Sequence, residues 1–312
     1  MPRVSVIIPT HNRPSLLAEA LASLLAQTFS DWEAVIVDDA SSPPVSVGDK
    51  DARIHVLHHN ASQGGAAAKN TGIKSATGEI LAFLDDDDLY APQYLERALG
   101  ILDRFPYVEV VFMGVTWFGA TGPWGQRNYD EAMEKTLAMA QGKTLEEGVI
   151  TFGESLLDAL LKSVPMAFQR PVVRKQALEH VGLYRPGCLL WDCDWAISAA
   201  LNARAALAVD GLYLQRAEGQ GYSSKRDRIL EHLDSGIEIK DRFLHEARLR
   251  NYPSHRMTLF RDAAAHAWFD LAWHQYQQQR RLKALGALWQ SELRKFSLPN
   301  LRLLARLLLP GK

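Results

Sequence analysis

Cysteine is nearly absent from this 312-residue chain, with only Cys188 and Cys193. Two thiols cannot form a disulfide framework, and no paired-cysteine metal motif exists. Free thiols in a reducing cytosol are the expectation. Long apolar runs are also missing. The opening run at 4–8 stops at Pro9, too short for a signal peptide. No stretch approaches the ~20 apolar residues that span a bilayer. The chain is therefore expected to be cytoplasmic, with peripheral contact at the inner face of the membrane left open. An excess of one charge is lacking too: 35 Lys+Arg stand against 36 Asp+Glu. That balance excludes a general attraction to nucleic acid. No internal repeat or low-complexity tract is present. The 10 histidines, His58 and His59 among them, show no ligand spacing and are read as structural.

What is present is ordinary globular material, 47% hydrophobic and 23% charged, enough for one large α/β domain plus an extension. Charge is unevenly placed. Residues 235–312 hold 14 Lys+Arg and 6 Asp+Glu, while the rest hold 21 and 30. An acidic body suits a cation, and a basic tail suits an anionic surface.

Residues 4–8 form a continuous β-branched run, the mark of a buried strand. Asn12 is placed to cap a helix whose first turn holds Pro14. Leu16, Leu17, Ala20, Leu21, Leu24 and Leu25 then repeat at helical spacing, giving one apolar face. Further strands are expected at 34–37, 54–57, 80–84 and 108–113, with a small-residue helix after Gly64 and another from Pro92 to about Asp103. Small residues let that helix approach a sheet or ligand closely. Alternation of strand and helix to about residue 113 implies a doubly wound parallel sheet. Ligands of such sheets sit beyond the strand carboxyl ends. Asp38-Asp39 and the aspartates at 85–88 lie at such ends and are expected to face one crevice. Residues 117–151 read as an insertion or mobile flap, with a charged helix from Tyr129. Helices are also expected at 154–163, 175–181 and 191–200, and the chain beyond Ile229 reads as mostly helical.

Four consecutive aspartates at a strand end are unfavourable unless something neutralises them. A hard divalent cation does so, typically through one or two carboxylates plus substrate phosphates. A solvated, helix-capping loop is the alternative. Asp39 is suited to accept hydrogen bonds from a base or ribose, or to close a turn on its own backbone. Asp192 and Asp194 open a helix between Trp191 and Trp195. Either is a candidate general base, since aromatic neighbours raise a carboxyl's pKa and offer a stacking face for a sugar. Helix capping by Asp192 is the plainer reading.

Together these segments resemble the family-2 inverting glycosyltransferases of GT-A fold. The resemblance runs through Val4-Ser5-Val6-Ile7-Ile8-Pro9-Thr10-His11-Asn12-Arg13, Gln27-Thr28-Phe29-Ser30-Asp31-Trp32-Glu33, Val35-Ile36-Val37-Asp38-Asp39-Ala40-Ser41, residues 60–72 and Thr77-Gly78-Glu79-Ile80-Leu81-Ala82-Phe83-Leu84 with the four aspartates that follow. It is strong over 3–105 and weaker over 165–224. It implies a Rossmann-like, mostly parallel sheet flanked by helices, with a GT-A catalytic domain over 1–228 and a helical extension over 229–312. Residues 1–113 would bind the nucleotide sugar and 114–228 would form the acceptor region. In the family, the segment of Pro9, Thr10 and Asn12 lies against the base, and the aspartate matching Asp39 holds it. The helix of Gly64, Lys69 and Asn70 borders the diphosphate, with Lys69 where arginine is usual. Asp85, Asp86 and Asp87 carry the DXD motif, with Asp87 the metal ligand for Mn²⁺ or Mg²⁺. The later acidic motif falls on Asp192, although Trp191 replaces the usual glutamate, so Asp194 stays an alternative.

The implied activity is metal-dependent, inverting transfer from a nucleotide sugar, UDP favoured, to a saccharide or lipid-linked acceptor in polysaccharide or glycolipid synthesis. Two rivals differ in class: a non-catalytic nucleotide-sugar-binding homologue, and a sugar nucleotidyltransferase. The latter usually has a Gly-rich basic loop after its first strand, which residues 9–14 lack. Residues 281–312 carry seven Lys+Arg and one acid among Trp289, Phe296 and a leucine run. Such a stretch lies on an anionic bilayer, packs on the catalytic domain, or forms a homodimer.

Overall fold

The computed structural model describes residues 1–47, 51–218 and 228–308. The chain divides into two compact units, Met1–Gly221 and Tyr222–Lys312. The division falls within 219–227, outside the described residues.

The first unit is built on a 10-stranded sheet. Its elements run β1 (Val4–Thr10), α1 (Pro14–Leu25), β2 (Trp32–Asp38), β3 (Ile54–His58), α2 (Gly65–Ser75), β4 (Ile80–Phe83), β5 (Leu89–Tyr90), α3 (Tyr94–Arg104) and β6 (Val110–Phe118). They continue with α4 (Gly122–Ala140), β7 (Lys143–Glu146), β8 (Val149–Thr151), α5 (Ser155–Lys162), β9 (Pro171–Arg174), α6 (Leu178–Val181), α7 (Trp191–Asn202) and β10 (Ala205–Arg216). The sheet order is β3-β2-β1-β4-β9-β6-β10-β8-β7, with β5 paired to β10. From β3 to β4 every pairing is parallel. β9 enters antiparallel between β4 and β6, and β6 and β10 are again parallel.

The β-branched runs of β1 and β2 are buried almost throughout, as expected of central parallel strands. The small residues of α2 act as foreseen. A Cβ on Gly72 would stand 2.5 Å from Ile7 Cγ2, so only glycine allows this approach to β1. Short loops at the carboxyl ends of β1, β2 and β4 then collect Thr10, Asp38 and the aspartates at 85–88 on one rim.

Two expectations are corrected. Asn12 does not cap α1: the cap position is Arg13, and no side chain bonds the helix start. Asn12 instead takes φ 55°, and its side chain accepts from Ser42 N. The stretch from Trp117 is no flap. β6 continues to Phe118, and α4 begins at Gly122, seven residues before Tyr129. Pro123 suits the first helical turn, and a Cβ on Gly125 would stand 2.7 Å from the Trp117 ring. These residues make a helix start and a close contact, which resemble loop composition.

The second unit holds α8 (Ile229–Leu249), α9 (Ser254–Gln277), α10 (Arg281–Arg294) and α11 (Leu298–Leu308). Its core gathers Ala272, Ala284, Ala287, Leu288, Leu303 and Leu307. Among the described residues no helix is long and apolar enough to cross a membrane. Both cysteines are free.

Candidate active site

The rim of the parallel half carries two aspartate groups. Asp38 accepts from Ser41 N at 2.9 Å, Val45 N at 2.9 Å and His58 Nδ1 at 3.0 Å. Burial works against its charge, but these hydrogen bonds outweigh it and bring the carboxyl down to about 2. Asp39 is held as firmly. His59 Nδ1 and Gln63 N reach Oδ1, while Ser62 Oγ and Gly64 N reach Oδ2, all within 2.8 Å. His58 and His59 thus each anchor one of these carboxylates. Asp39 thereby fixes the loop that delivers Gly64 and the start of α2.

The second group follows β4. Lys69 Nζ, on α2, lies 3.0 Å from Asp85 Oδ1, and Arg170 Nη2 lies 3.3 Å from Asp85 Oδ2. Burial opposes the Asp85 charge, and the two cations overcome it and hold the carboxyl low. Asp86 accepts from Thr10 Oγ1 at 2.7 Å and Arg13 Nη1 at 2.8 Å. Burial nevertheless raises its carboxyl to about 6. Asp87 has Arg13 Nη1 at 3.3 Å as its side-chain partner among the described residues. Burial, then the nearby Asp85 charge, push its carboxyl up. Asp88 is fully buried and accepts from Tyr213 OH, Gln215 Nε2 and Arg216 N.

Across the crevice, Lys69 Nζ also lies 3.4 Å from Asp192 Oδ1, in the first turn of α7. Lys69 is 1% exposed and sits 4.3 Å from the centre of the Trp191 ring. Burial lifts the Asp192 carboxyl to about 6, against the opposing pull of Lys69. Asp194 is two residues further along the helix, and helical neighbours at that spacing do not share a face. One ammonium thus links the strand-end cluster to the carboxylate of a distant helix.

The other expected site residues divide. Thr10, Lys69, Asp85, Asp86, Asp87 and Asp192 come together. Pro9 pairs with Val37 inside the sheet, one residue short of the rim. Asn12 bonds the loop after β2 through Ser41 and Ser42. Both ends of the Asn70 amide are engaged by the Tyr184 backbone, so Asn70 ties α2 to the chain ahead of α7. Sequence reading missed Arg13, Arg170, Tyr213 and Arg216. Arg13 lay within the first motif. Arg170, Tyr213 and Arg216 carry no local signal.

For a divalent cation, the donor set is suitable. Asp86 and Asp87 stand side by side on the rim, and burial followed by the Asp85 charge raises the Asp87 carboxyl despite Arg13 and Arg170. Among the described residues no three His, Cys, Asp or Glu side chains converge on one point. A cation there would depend on one or two carboxylates plus a ligand's phosphates.

The model of glycosyl transferase family 2 matches residues 5–161, half of the chain. The putative glycosyltransferase EpsE of Bacillus subtilis is 30% identical over 189 residues, 59% of this chain and 66% of its own. The Escherichia coli UDP-Glc:alpha-D-GlcNAc-diphosphoundecaprenol beta-1,3-glucosyltransferase WfgD is 34% identical over 102 residues, 32% of this chain and 40% of its own. An uncharacterised glycosyltransferase of Rickettsia felis is 40% identical over 34% of this chain, and only 18% of its own length is spanned. Among solved structures, S. aureus TarS in complex with UDP-GlcNAc superposes with TM-score 0.65 at 17% identity, covering 94% of this chain and 81% of that one. Mannosyltransferase PcManGT from Pyrobaculum calidifontis, in complex with GDP-Man and Mn²⁺, gives 0.56 at 20%, covering 98% and 79%. The fold is GT-A, with helices at the C-terminal end. From the strand-end motifs through the mixed sheet to the family match, the chain belongs to glycosyl transferase family 2.

Proposed function

We propose that this chain transfers a sugar, with inversion, from a nucleoside diphosphate sugar to an acceptor hydroxyl, and that UDP is the favoured nucleotide. The observation that carries the reading is the pairing across one crevice of a charge-crowded aspartate cluster with Asp192, joined through Lys69. Residues 1–113 supply the donor half, and 114–228 the acceptor half. Thr10, Asp39 and Gly64 border the nucleotide, with Pro9, Asn12 and Asn70 shaping the surrounding backbone. Asp87, with Asp86 beside it, would hold a Mn²⁺ or Mg²⁺ ion, which when bound offsets charge on the leaving diphosphate. Lys69 and Asp85 orient the donor's reacting end. Asp192 takes the proton from the attacking hydroxyl, a role suited to a carboxyl raised to about 6 but ionised at neutral pH. Asp192 rather than Asp194 is favoured because its carboxylate reaches Lys69. A saccharide or lipid-linked acceptor for a surface polysaccharide fits the reading, as does WfgD, named for a diphosphoundecaprenol substrate.

Calorimetric titration of UDP, GDP and dTDP, with and without Mn²⁺, tests the donor site. One nucleotide should bind, and Asp87→Ala should remove the dependence on metal. In the presence of that donor, Asp192→Asn should lower release of nucleoside diphosphate about 10²- to 10⁴-fold while sparing binding. Unchanged release would remove Asp192 from the mechanism, and lack of any binding would remove the donor site.

A further inference from the structure

The excess of positive charge in the second unit is concentrated in its last two helices. Five of the six acids in 235–312 precede residue 281, leaving Glu292 alone in the last two helices. Those helices are also two-faced in packing. On α10, Ala284, Ala287, Leu288 and Ser291 are buried, at the i, i+3, i+4, i+7 spacing of one face. Leu282, Trp289 and Leu293 follow at i, i+7, i+11, about half a turn away, and are 86%, 64% and 60% exposed. Phe296, in the link to α11, is 65% exposed. α11 repeats the arrangement: Asn300, Leu303 and Leu307 are buried, while Leu298, Leu301 and Leu308 are exposed.

A globular helix needs one apolar stripe, and each of these has two. The inner stripes of both helices feed one cluster, through Ala284, Ala287, Leu288, Leu303 and Leu307. The outer stripes therefore face away from that cluster. Exposed large apolar side chains normally occur singly, and a group of this extent marks an interaction surface. Its flanks decide the partner. Arg281, Lys283, Lys295, Arg302 and Arg306 are exposed on the same two helices and their link, with one half-buried acid among them. Trp, Phe and Leu bordered by Arg and Lys suit the headgroup boundary of an anionic bilayer, where the rings enter the interface and the cations meet phosphate. A second copy would set these cations against the same cations, an unfavourable arrangement across a two-fold axis.

We infer that the outer face of α10 and α11 is a docking surface for an anionic phospholipid bilayer, on which the chain lies without crossing it. This is independent of the proposed activity. Purified full-length protein is floated with vesicles of phosphatidylcholine containing phosphatidylglycerol and with phosphatidylcholine vesicles alone. The wild type should float with the anionic vesicles, less so at high salt, and weakly with the neutral ones. Trp289→Ser with Leu293→Ser and Phe296→Ser should reduce partitioning more than about tenfold, since three large apolar side chains leave the interface. The replaced groups are exposed, so circular dichroism and melting should be unchanged. A second variant, Arg281→Glu with Arg302→Glu, should abolish the preference for anionic vesicles. No flotation of the wild type, or equal flotation of wild type and variants, overturns the inference. So does a concentration-dependent dimer that the triple variant dissolves, because a second copy would then be the occupant.

Discussion

Asp38 and Asp39 end β2, the aspartates at 85–88 follow β4, and the two groups share a rim yet are neutralised by opposite means. Asp38 and Asp39 are satisfied largely by backbone N–H, hydroxyl and imidazole donors of the loops after β2 and β3, and both carboxyls lie below their ordinary value. The later group depends on Arg13, Lys69 and Arg170 from three separate elements, and still Asp86, Asp87 and Asp88 lie above theirs. The first group is complete without a ligand. In the second, three of four carboxyls stay raised, chiefly by burial, with Arg13, Lys69 and Arg170 beside them. Acidity at a strand end therefore does not by itself mark a binding site. What matters is whether the chain has already satisfied the carboxylates.

The contrast is sharpest where one cation serves several carboxylates. Arg170 is buried, with Asp85 at 3.3 Å and Asp88 at 3.6 Å. Burial opposes its charge, and Tyr213, Asp85 and Asp88 more than restore it. Arg170→Ala would leave like charges facing each other in a water-poor site. The expected cost is about 3–5 kcal/mol in urea denaturation. A loss below about 1 kcal/mol would mean that the cluster is protonated or hydrated enough to need no counter-ion.

Asp39 should come next. Asp39→Ala orphans Gln63 N, Gly64 N, His59 and Ser62 together. About 2–3 kcal/mol should be lost, since four hydrogen bonds to one charged group go and water replaces them only in part. Asp87→Ala in the other group should change stability by less than about 1 kcal/mol, because it relieves crowding as it removes a contact with Arg13. Equal losses from the two substitutions would erase the distinction between completed and open groups.

The sequence made the parallel half of the sheet legible because its strands are short-range signals. Expected strands at 4–8, 34–37, 54–57 and 80–84 correspond to Val4–Thr10, Trp32–Asp38, Ile54–His58 and Ile80–Phe83. The later half escaped for a physical reason. β9 has four residues, and β10 carries Asp210-Gly211 at a break in its register. Neither has a period of its own, and both exist through long-range pairing. Arg170 illustrates the consequence. A single arginine before a four-residue strand has no sequence signature, yet insertion of β9 between β4 and β6 brings it to Asp85 and Asp88. The carboxylates were readable because they are adjacent in the chain. Their counter-ions were not, because only the fold makes them neighbours.

A pH-dependent effect also separates the groups. Asp192 has its carboxyl raised from 3.8 to about 6, so the folded chain holds that proton more tightly than the unfolded one. Its stabilising contribution is complete below 3.8 and is lost as pH rises through about 6. Asp38 has the reverse sign. With its carboxyl lowered from 3.8 to about 2, its contribution is present above 3.8 and disappears as pH falls towards 2. Asp192→Asn should therefore match the wild type near pH 4 and exceed it by about 1–2 kcal/mol at pH 8, in paired urea titrations. Asp38→Asn should be the weaker protein at pH 8, and its deficit should shrink only in strong acid. If Asp192→Asn is less stable at pH 8, its bond to Lys69 outweighs the cost of burial, and Asp192 belongs with the completed carboxylates rather than with those held for chemistry.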